Sequence, residues 1–174
     1  GKKVGKNVLI LDDDGTRHGA GTAQFLLNKG HKVTAVTRFP MYAPITGQTL
    51  EMALVYSDVF AKGLNAITNS WVKLIKGKQA TLYNLYTGEE TRMKNIDTVV
   101  LACGSLANDS LFHELESKLE NVHRIGDALA PRALDHAIYE AELAGRELMD
   151  DDSRYIQAGD LDGWDKNIER VVGS

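Results

Sequence analysis

The sequence contains a single cysteine, no long apolar run and no strong excess of either charge. Each shortage removes a class of function. Cys103 has no partner for an intrachain disulfide. One thiolate also cannot hold an iron–sulfur cluster or a cysteine-rich zinc site. A chain without disulfides is expected in a reducing compartment, here the cytoplasm. A membrane-crossing helix needs roughly 20 consecutive apolar residues, and no run approaches that. The basic start, Gly1-Lys2-Lys3-Val4-Gly5-Lys6, leads into a short strand and not into the apolar region of a signal peptide. A net charge of −4 argues against nucleic acid, because phosphate binding needs concentrated Lys and Arg. The histidines, His18, His31, His113, His123 and His136, lack metal-ligand spacing. No nucleophile elbow, phosphate-binding loop or catalytic triad is visible. The first residue is Gly and not Met, from which a processed or excised segment is expected.

What is present suits a packed globular chain: 43% of the 174 residues are hydrophobic and 25% charged. That length fits one domain, or one with a small extension. Residues 7–11 form a branched apolar run that reads as a buried parallel strand. Residues 19–29 have helical spacing, with Gly30 as a cap, and residues 32–37 give a second strand. Together they predict a βαβ unit. A helix is expected over 49–62 and a third strand at 66–67. An antiparallel meander follows at 72–75, 81–86 and 90–93. Further strands are expected at 98–102 and 122–125, and further helices at 111–119 and 131–149. No repeat or low-complexity segment appears. The pattern predicts a Rossmann-like α/β fold: an open, mostly parallel sheet with helices on both faces and an antiparallel meander.

In such sheets ligands lie at the carboxyl ends of the strands, which concentrates attention on four places. The first is the loop Asp12-Asp13-Asp14-Gly15-Thr16-Arg17-His18-Gly19. It stands where a dinucleotide fingerprint belongs but lacks the glycine spacing. Its three carboxylates would also repel a diphosphate. It is either a repurposed nucleotide site, with Asp14, Gly15 and Gly19 as candidates, or an acidic loop capping a helix. The second is Thr37-Arg38, where an acid would favour NAD; Arg38 suits a 2′-phosphate instead, or is simply a surface arginine. The third is Cys103-Gly104, read as a buried structural thiol beside a strand-end glycine. The fourth is Gly126-Asp127-Ala128. There a glycine permits close approach, the carboxylate can accept a hydroxyl, and a following helix end attracts phosphate. The alternative is a helix-starting turn.

The run Ile125-Gly126-Asp127-Ala128-Leu129-Ala130-Pro131-Arg132, followed by Ala144-Gly145-Arg146-Glu147-Leu148, closely resembles the C-terminal end of a family. The family comprises the old-yellow-enzyme-related oxidoreductases of the trimethylamine dehydrogenase, histamine dehydrogenase and 2,4-dienoyl-CoA reductase group. Residues 8–37, with the triple-Asp loop and Gly30-His31-Lys32-Val33-Thr34, are similar to the degenerate nucleotide loop of that group's amine dehydrogenases. Residues 98–104 resemble the strand before the return to the flavin-type half.

The resemblance implies an N-terminal TIM barrel carrying FMN and a 4Fe-4S cluster, both outside this chain, and a further electron-transfer protein as possible partner of the parent. It implies an NAD(P)H-binding-like domain over 5–95, a return segment of the FAD- or ADP-binding-like half over 96–149, and a tail over 150–174. FAD or ADP would lie at Gly126-Asp127, while NAD(P) is disfavoured by the triple Asp. Bond chemistry would occur at the FMN, so no residue here is expected to be catalytic. The rivals are a cofactor-free Rossmann-like interaction module and a small NADP-dependent reductase using Arg38.

Overall fold

The computed structural model describes residues 2–149, and the chain divides into two compact units that part after Gly104. The first unit is built on β1 (Asn7–Asp12), α1 (Arg17–Asn28) and β2 (Lys32–Thr37). A 3-10 helix (Pro44–Gly47) and α2 (Met52–Ala61) follow, and then β3 (Asn65–Ile67). The strands β4 (Ser70–Lys76), β5 (Gln79–Asn84) and β6 (Glu90–Met93) come next, and β7 (Thr98–Ala102) closes the unit. One sheet has the order β3-β2-β1-β7 with every pairing parallel; the other, β4-β5-β6, is antiparallel.

The apolar run of β1 is continuous because both of its faces are covered. Successive side chains alternate between faces. Val8 and Ile10 therefore join Val33 and Ala35 of β2 under Ala20, Ala23, Leu26 and Leu27 of α1 and Val55 and Val59 of α2. Leu9 and Leu11 join Val36 on the opposite side, against Ala80 and Leu82 of β5 and Ile96. Burying each large aliphatic side chain contributes about 1.5–3 kcal/mol. The Rossmann-like class is as expected. Within this unit both helices share one face, and the meander takes the face where more helices were expected. Gly30 caps α1 as anticipated: its N–H bonds Leu27 O at 2.9 Å and the N–H of His31 bonds Leu26 O at 3.1 Å.

The sequence suggested a change of domain at 95/96, but β7 lies beyond that point and pairs with β1 in parallel register, Val8 opposite Thr98 through Asp12 opposite Ala102. The division between compact units thus follows Gly104. A short branched strand carries no local mark of the sheet it will join.

The second unit contains α3 (Ser110–Leu115), a 3-10 turn (Gly126–Ala128) and α4 (Leu134–Met149). The strand expected at 122–125 does not form; among the described residues those positions pair with no other strand. Alternating pattern makes a segment competent for a sheet, but a neighbour must supply the ladder. The helix expected from Pro131 starts at Leu134. The tail over 150–174, with Tyr155, Ile156 and Trp164, lies outside the described residues.

Candidate functional site

The acidic loop is a tightly bonded turn. Asp12, fully buried at the end of β1, accepts the N–H groups of Gly15 (2.9 Å) and Asp14 (3.3 Å) through Oδ1. Its carboxylate lies against the first turn of α1, where a Cβ on Gly19 would come within 2.7 Å of Asp12 Cγ. Only glycine at position 19 leaves room for that group. Burial is the largest influence on Asp12 and raises its pKa; the two N–H donors oppose this, and the charges of Asp14 and Asp13 add to it. Asp13 bonds through its N–H to Ala102 O at 2.9 Å and pairs with Arg38 Nε at 3.4 Å. Asp14 accepts the hydroxyl of Thr16 at 2.7 Å and faces His18 Nδ1 at 3.3 Å. Thr16 is the N-cap of α1 and accepts the N–H of His18 at 3.2 Å. Asp12 and Asp14 are therefore engaged within the turn, and Asp13 by Ala102 and Arg38 beside it. Among the described residues no group of His, Cys, Asp and Glu could hold a metal ion.

Residues 39–47 close over this turn. Gly15 has φ +67, and an added Cβ would meet Phe39 Cε2 at 2.7 Å and Pro44 Cδ at 3.1 Å. A substitution there adds a ring clash to a left-handed backbone that costs about 1–2 kcal/mol. Ile45 N–H bonds Gly15 O at 2.9 Å, and Asn69 N–H bonds Phe39 O at 3.0 Å. Tyr42 is buried in the helix-side core, and its carbonyl accepts the Tyr56 hydroxyl at 2.6 Å. Burial, then the nearby charge of Asp12, pushes the Tyr42 phenol well above its ordinary pKa. Asp12 Oδ2 and Tyr42 Oη are buried without a protein hydrogen-bond partner.

Thr37 and Arg38 are likewise engaged by their own chain. Thr37 is fully buried, and its hydroxyl accepts the Phe39 N–H at 3.3 Å. Arg38 stacks over Trp71, 4.5 Å from guanidinium to ring centre, in addition to pairing with Asp13. Gly104 adopts φ +82, and a Cβ at that position would meet only open space. Cys103 corrects an expectation: the residue is exposed, although its sulfur turns toward Leu11 O at 3.5 Å. Desolvation of that sulfur, then the charge of Asp13, holds the thiol above its ordinary pKa. Three of the four expected strand-end places, Asp12, Thr37-Arg38 and Cys103, stand at one rim of the parallel sheet; the fourth, Gly126-Asp127, follows no strand among the described residues.

In the second unit, Gly126 takes φ +59, and a Cβ there would meet Ala137 Cβ at 3.3 Å. Its N–H donates to Glu140 Oε2 at 2.6 Å, while Glu140 Oε1 pairs with Arg132. The Gly126 carbonyl accepts N–H groups from Leu129 (2.9 Å) and Ala130 (3.0 Å). Asp127 is exposed beside the partly covered Ala128. The expected helix end immediately after Gly126-Asp127 is absent; a 3-10 turn stands there and α4 begins at Leu134. Glu140 was not anticipated. Its link to Gly126 spans fourteen residues and has no local signature.

No family model matches the chain. It is 26% identical over 179 residues to dimethylamine dehydrogenase of Hyphomicrobium sp. (strain x), covering 88% of this chain and 24% of that protein. The structure superposes on histamine dehydrogenase from Rhizobium sp. 4-9 with a TM-score of 0.77 and 27% identity, over 90% of this chain and 24% of the other. It superposes equally on 6-hydroxypseudooxynicotine amine oxidase from Pseudomonas geniculata N1, TM-score 0.77 and 32% identity, over 82% of this chain and 22% of that one. The likeness is to the trimethylamine dehydrogenase-like group. The chain spans 24% of the curated dimethylamine dehydrogenase, and the region it matches is a C-terminal part of such larger oxidoreductases. A free-standing interaction module is not favoured, because the likeness runs across both units.

Proposed function

We propose that this chain is the nucleotide-binding C-terminal region of an FMN- and 4Fe-4S-containing flavoprotein that oxidises an amine or reduces an enoyl-type substrate. The observation that carries the reading is the superposition on amine-oxidising enzymes over 82–90% of the chain. The chemistry belongs to the flavin of the N-terminal barrel. An electron-transfer protein would collect electrons from that parent and not from any residue here.

The turn Gly126-Asp127-Ala128 supports a role in holding FAD or ADP. Glu140 holds the Gly126 amide, leaving the exposed Asp127 carboxylate to accept hydroxyl groups of a ribose or ribityl chain. Bound there, the nucleotide would supply either a second flavin or, as ADP, a structural ligand. The rim of the first unit does not fit a pyridine nucleotide. The N–H groups of Asp14 and Gly15 are engaged by Asp12, and Arg38 is engaged by Asp13 and Trp71. Residues 39–47 cover the turn. We therefore derive no hydride step through NAD(P)H.

The test is chemical. The purified product of the whole reading frame is denatured and its released nucleotides are identified by chromatography and mass spectrometry. Release of ADP or FAD besides FMN is expected, and calorimetric titration with NADPH should give no heat at millimolar ligand. Absence of any adenine compound, or a stop codon immediately upstream of Gly1, overturns the reading. NADPH binding abolished by Arg38→Ala would favour a small NADP-dependent reductase instead.

A further inference from the structure

Among the described residues, three buried side-chain atoms have no protein hydrogen-bond partner: Asp12 Oδ2, Tyr42 Oη and Asn69 Oδ1. All three gather at residues 39–47. Tyr42 belongs to that segment, and Asn69 bonds Phe39 O through its N–H. The Asp12 turn lies beneath, where Gly15 meets Phe39 and Pro44. Each such atom gives up the hydrogen bonds it would make to water. Lifting the one segment would return water to all of them. That segment joins no strand ladder. It is tied through Ile45 N–H to Gly15 O, Asn69 N–H to Phe39 O, the Tyr56 hydroxyl to Tyr42 O and Glu51 N–H to Thr46 O. Ala43 within it and Leu50 just beyond it have φ of 47 and 60, a left-handed backbone that is costly for any residue but glycine.

The charge of Asp12 decides how well the closed state tolerates these atoms. Oδ1 accepts two N–H groups, while Oδ2 has no donor. A neutral carboxyl can be sealed in that way, but an ionised one leaves charge on an unsolvated oxygen. The surrounding groups do not neutralise it. Asp13 and Asp14 on its own turn oppose ionisation, and the cations beside them, Arg38 at the end of β2 and His18 on α1, are paired with them. Arg17 of α1 pairs with Glu51. Tyr42 of the cover faces Asp12 as a neutral phenol, with Tyr56 of α2 behind it, and the Cys103 thiol stands at the end of β7. The first turn of α1 and the two N–H donors favour the charge, yet burial outweighs them and holds the carboxyl above its ordinary pKa.

We propose that residues 39–47 are a proton-controlled lid on the rim of the parallel sheet, shut over a neutral Asp12 and raised when Asp12 ionises. The proton leaves to solvent, and water reaches Oδ2, Tyr42 Oη and Asn69 Oδ1. Closure is strongest below the open-state pKa and is lost as pH rises through the higher closed-state value. The raised lid uncovers a third negative charge beside Asp13 and Asp14, so opening does not create a phosphate site.

The test follows amide protection at Ile45 and Asn69 in the 174-residue chain from acid pH to neutrality, beside Ile10 in the middle of β1 and the NMR resonance of the Asp12 carboxyl. Protection at Ile45 and Asn69 should fall on the order of 10-fold in step with the Asp12 titration, while Ile10 stays protected. Asp12→Asn should keep both amides protected at every pH, and His18→Gln should leave the fall unchanged. The wild-type comparison decides the matter even where Asp12→Asn does not fold. An Asp12 that titrates with both amides still protected, or that keeps one charge state up to neutrality, overturns the lid. Parallel loss at Ile10 would show unfolding of the whole unit and also overturns it. A fall that persists in Asp12→Asn or vanishes in His18→Gln assigns the titration to another group, with the same consequence.

Discussion

The two units draw on similar residues and reach opposite states. In the first, a βαβ start with a meander behind it buries Leu9, Ile10, Val36, Val55, Val59 and Leu82 completely, or nearly so. In the second, Leu106, Leu111, Leu119, Leu134 and Ile138 all face solvent, and Glu140 is the one buried residue among those described. The amount of apolar side chain does not separate them. The first unit holds both sides of its core, whereas the described residues of the second bury no apolar side chain fully. A layer architecture stabilises itself only when each apolar face meets another. A sequence likeness can therefore run over 88% of the chain while the buried core resides in part of it.

The largest effect expected to test this contrast is in the core. Leu9→Ala should lower the unfolding free energy of the first unit by about 2–5 kcal/mol, read from urea denaturation followed by tryptophan fluorescence of Trp71. Leu134→Ala in the 174-residue chain should change the same transition by less than about 0.5 kcal/mol. Equal losses would mean that the second unit shares the core. Gly19→Ala comes next. Its methyl group would collide with the Asp12 carboxylate, and the loss should be about 1–3 kcal/mol.

A smaller effect sharpens the role of Asp12. Its pKa is raised in the folded state, so its contribution to stability is fully present below the unfolded value and is lost as pH rises through the folded value. Asp12→Asn removes that titration. The advantage of the variant over the wild type in urea midpoint should therefore grow from acid pH toward neutrality. A difference independent of pH would show that the carboxyl does not titrate where burial places it. In the second unit, Glu140→Gln breaks the bond to Arg132 and weakens that to the Gly126 amide. Exchange at Gly126 should accelerate several-fold while the unfolding of the first unit is unchanged. The smallest change expected is for Arg38→Ala. An exposed ion pair and one guanidinium–ring stack together are worth about 1 kcal/mol or less. NADPH affinity should be undetectable before and after.

Much of the first unit was legible because its signals are local. The strands at Lys32–Thr37, Glu90–Met93 and Thr98–Ala102 have the bounds expected of them. Gly30 marks the end of α1 because a cap is set by a few consecutive residues. The acidic loop was recognisable as a departure from a phosphate cradle. That Asp12 would turn inward against Gly19, with Phe39 and Pro44 covering Gly15, was not. Those contacts join segments more than twenty residues apart along the chain in the case of the cover, and no local pattern encodes them. The misplaced strand at 122–125 and the exposure of Cys103 have the same origin. Each depends on what lies alongside, and a string of residues does not name its neighbour.

By itself the amino-acid order determined the alternation of strand and helix in the first unit, the poverty of metal and disulfide chemistry, and the resemblance carried by Gly126-Asp127-Ala128. These follow from periodicity, residue counts and short motifs, all of which act within a few residues. Tertiary structure alone decided that β7 closes the first sheet, that Asp12 turns inward to its own loop while Asp13 meets Arg38, and that Leu134, Ile138 and Leu148 stand exposed. Burial and pairing are properties of two surfaces brought together, and folding, not local sequence, selects the second surface.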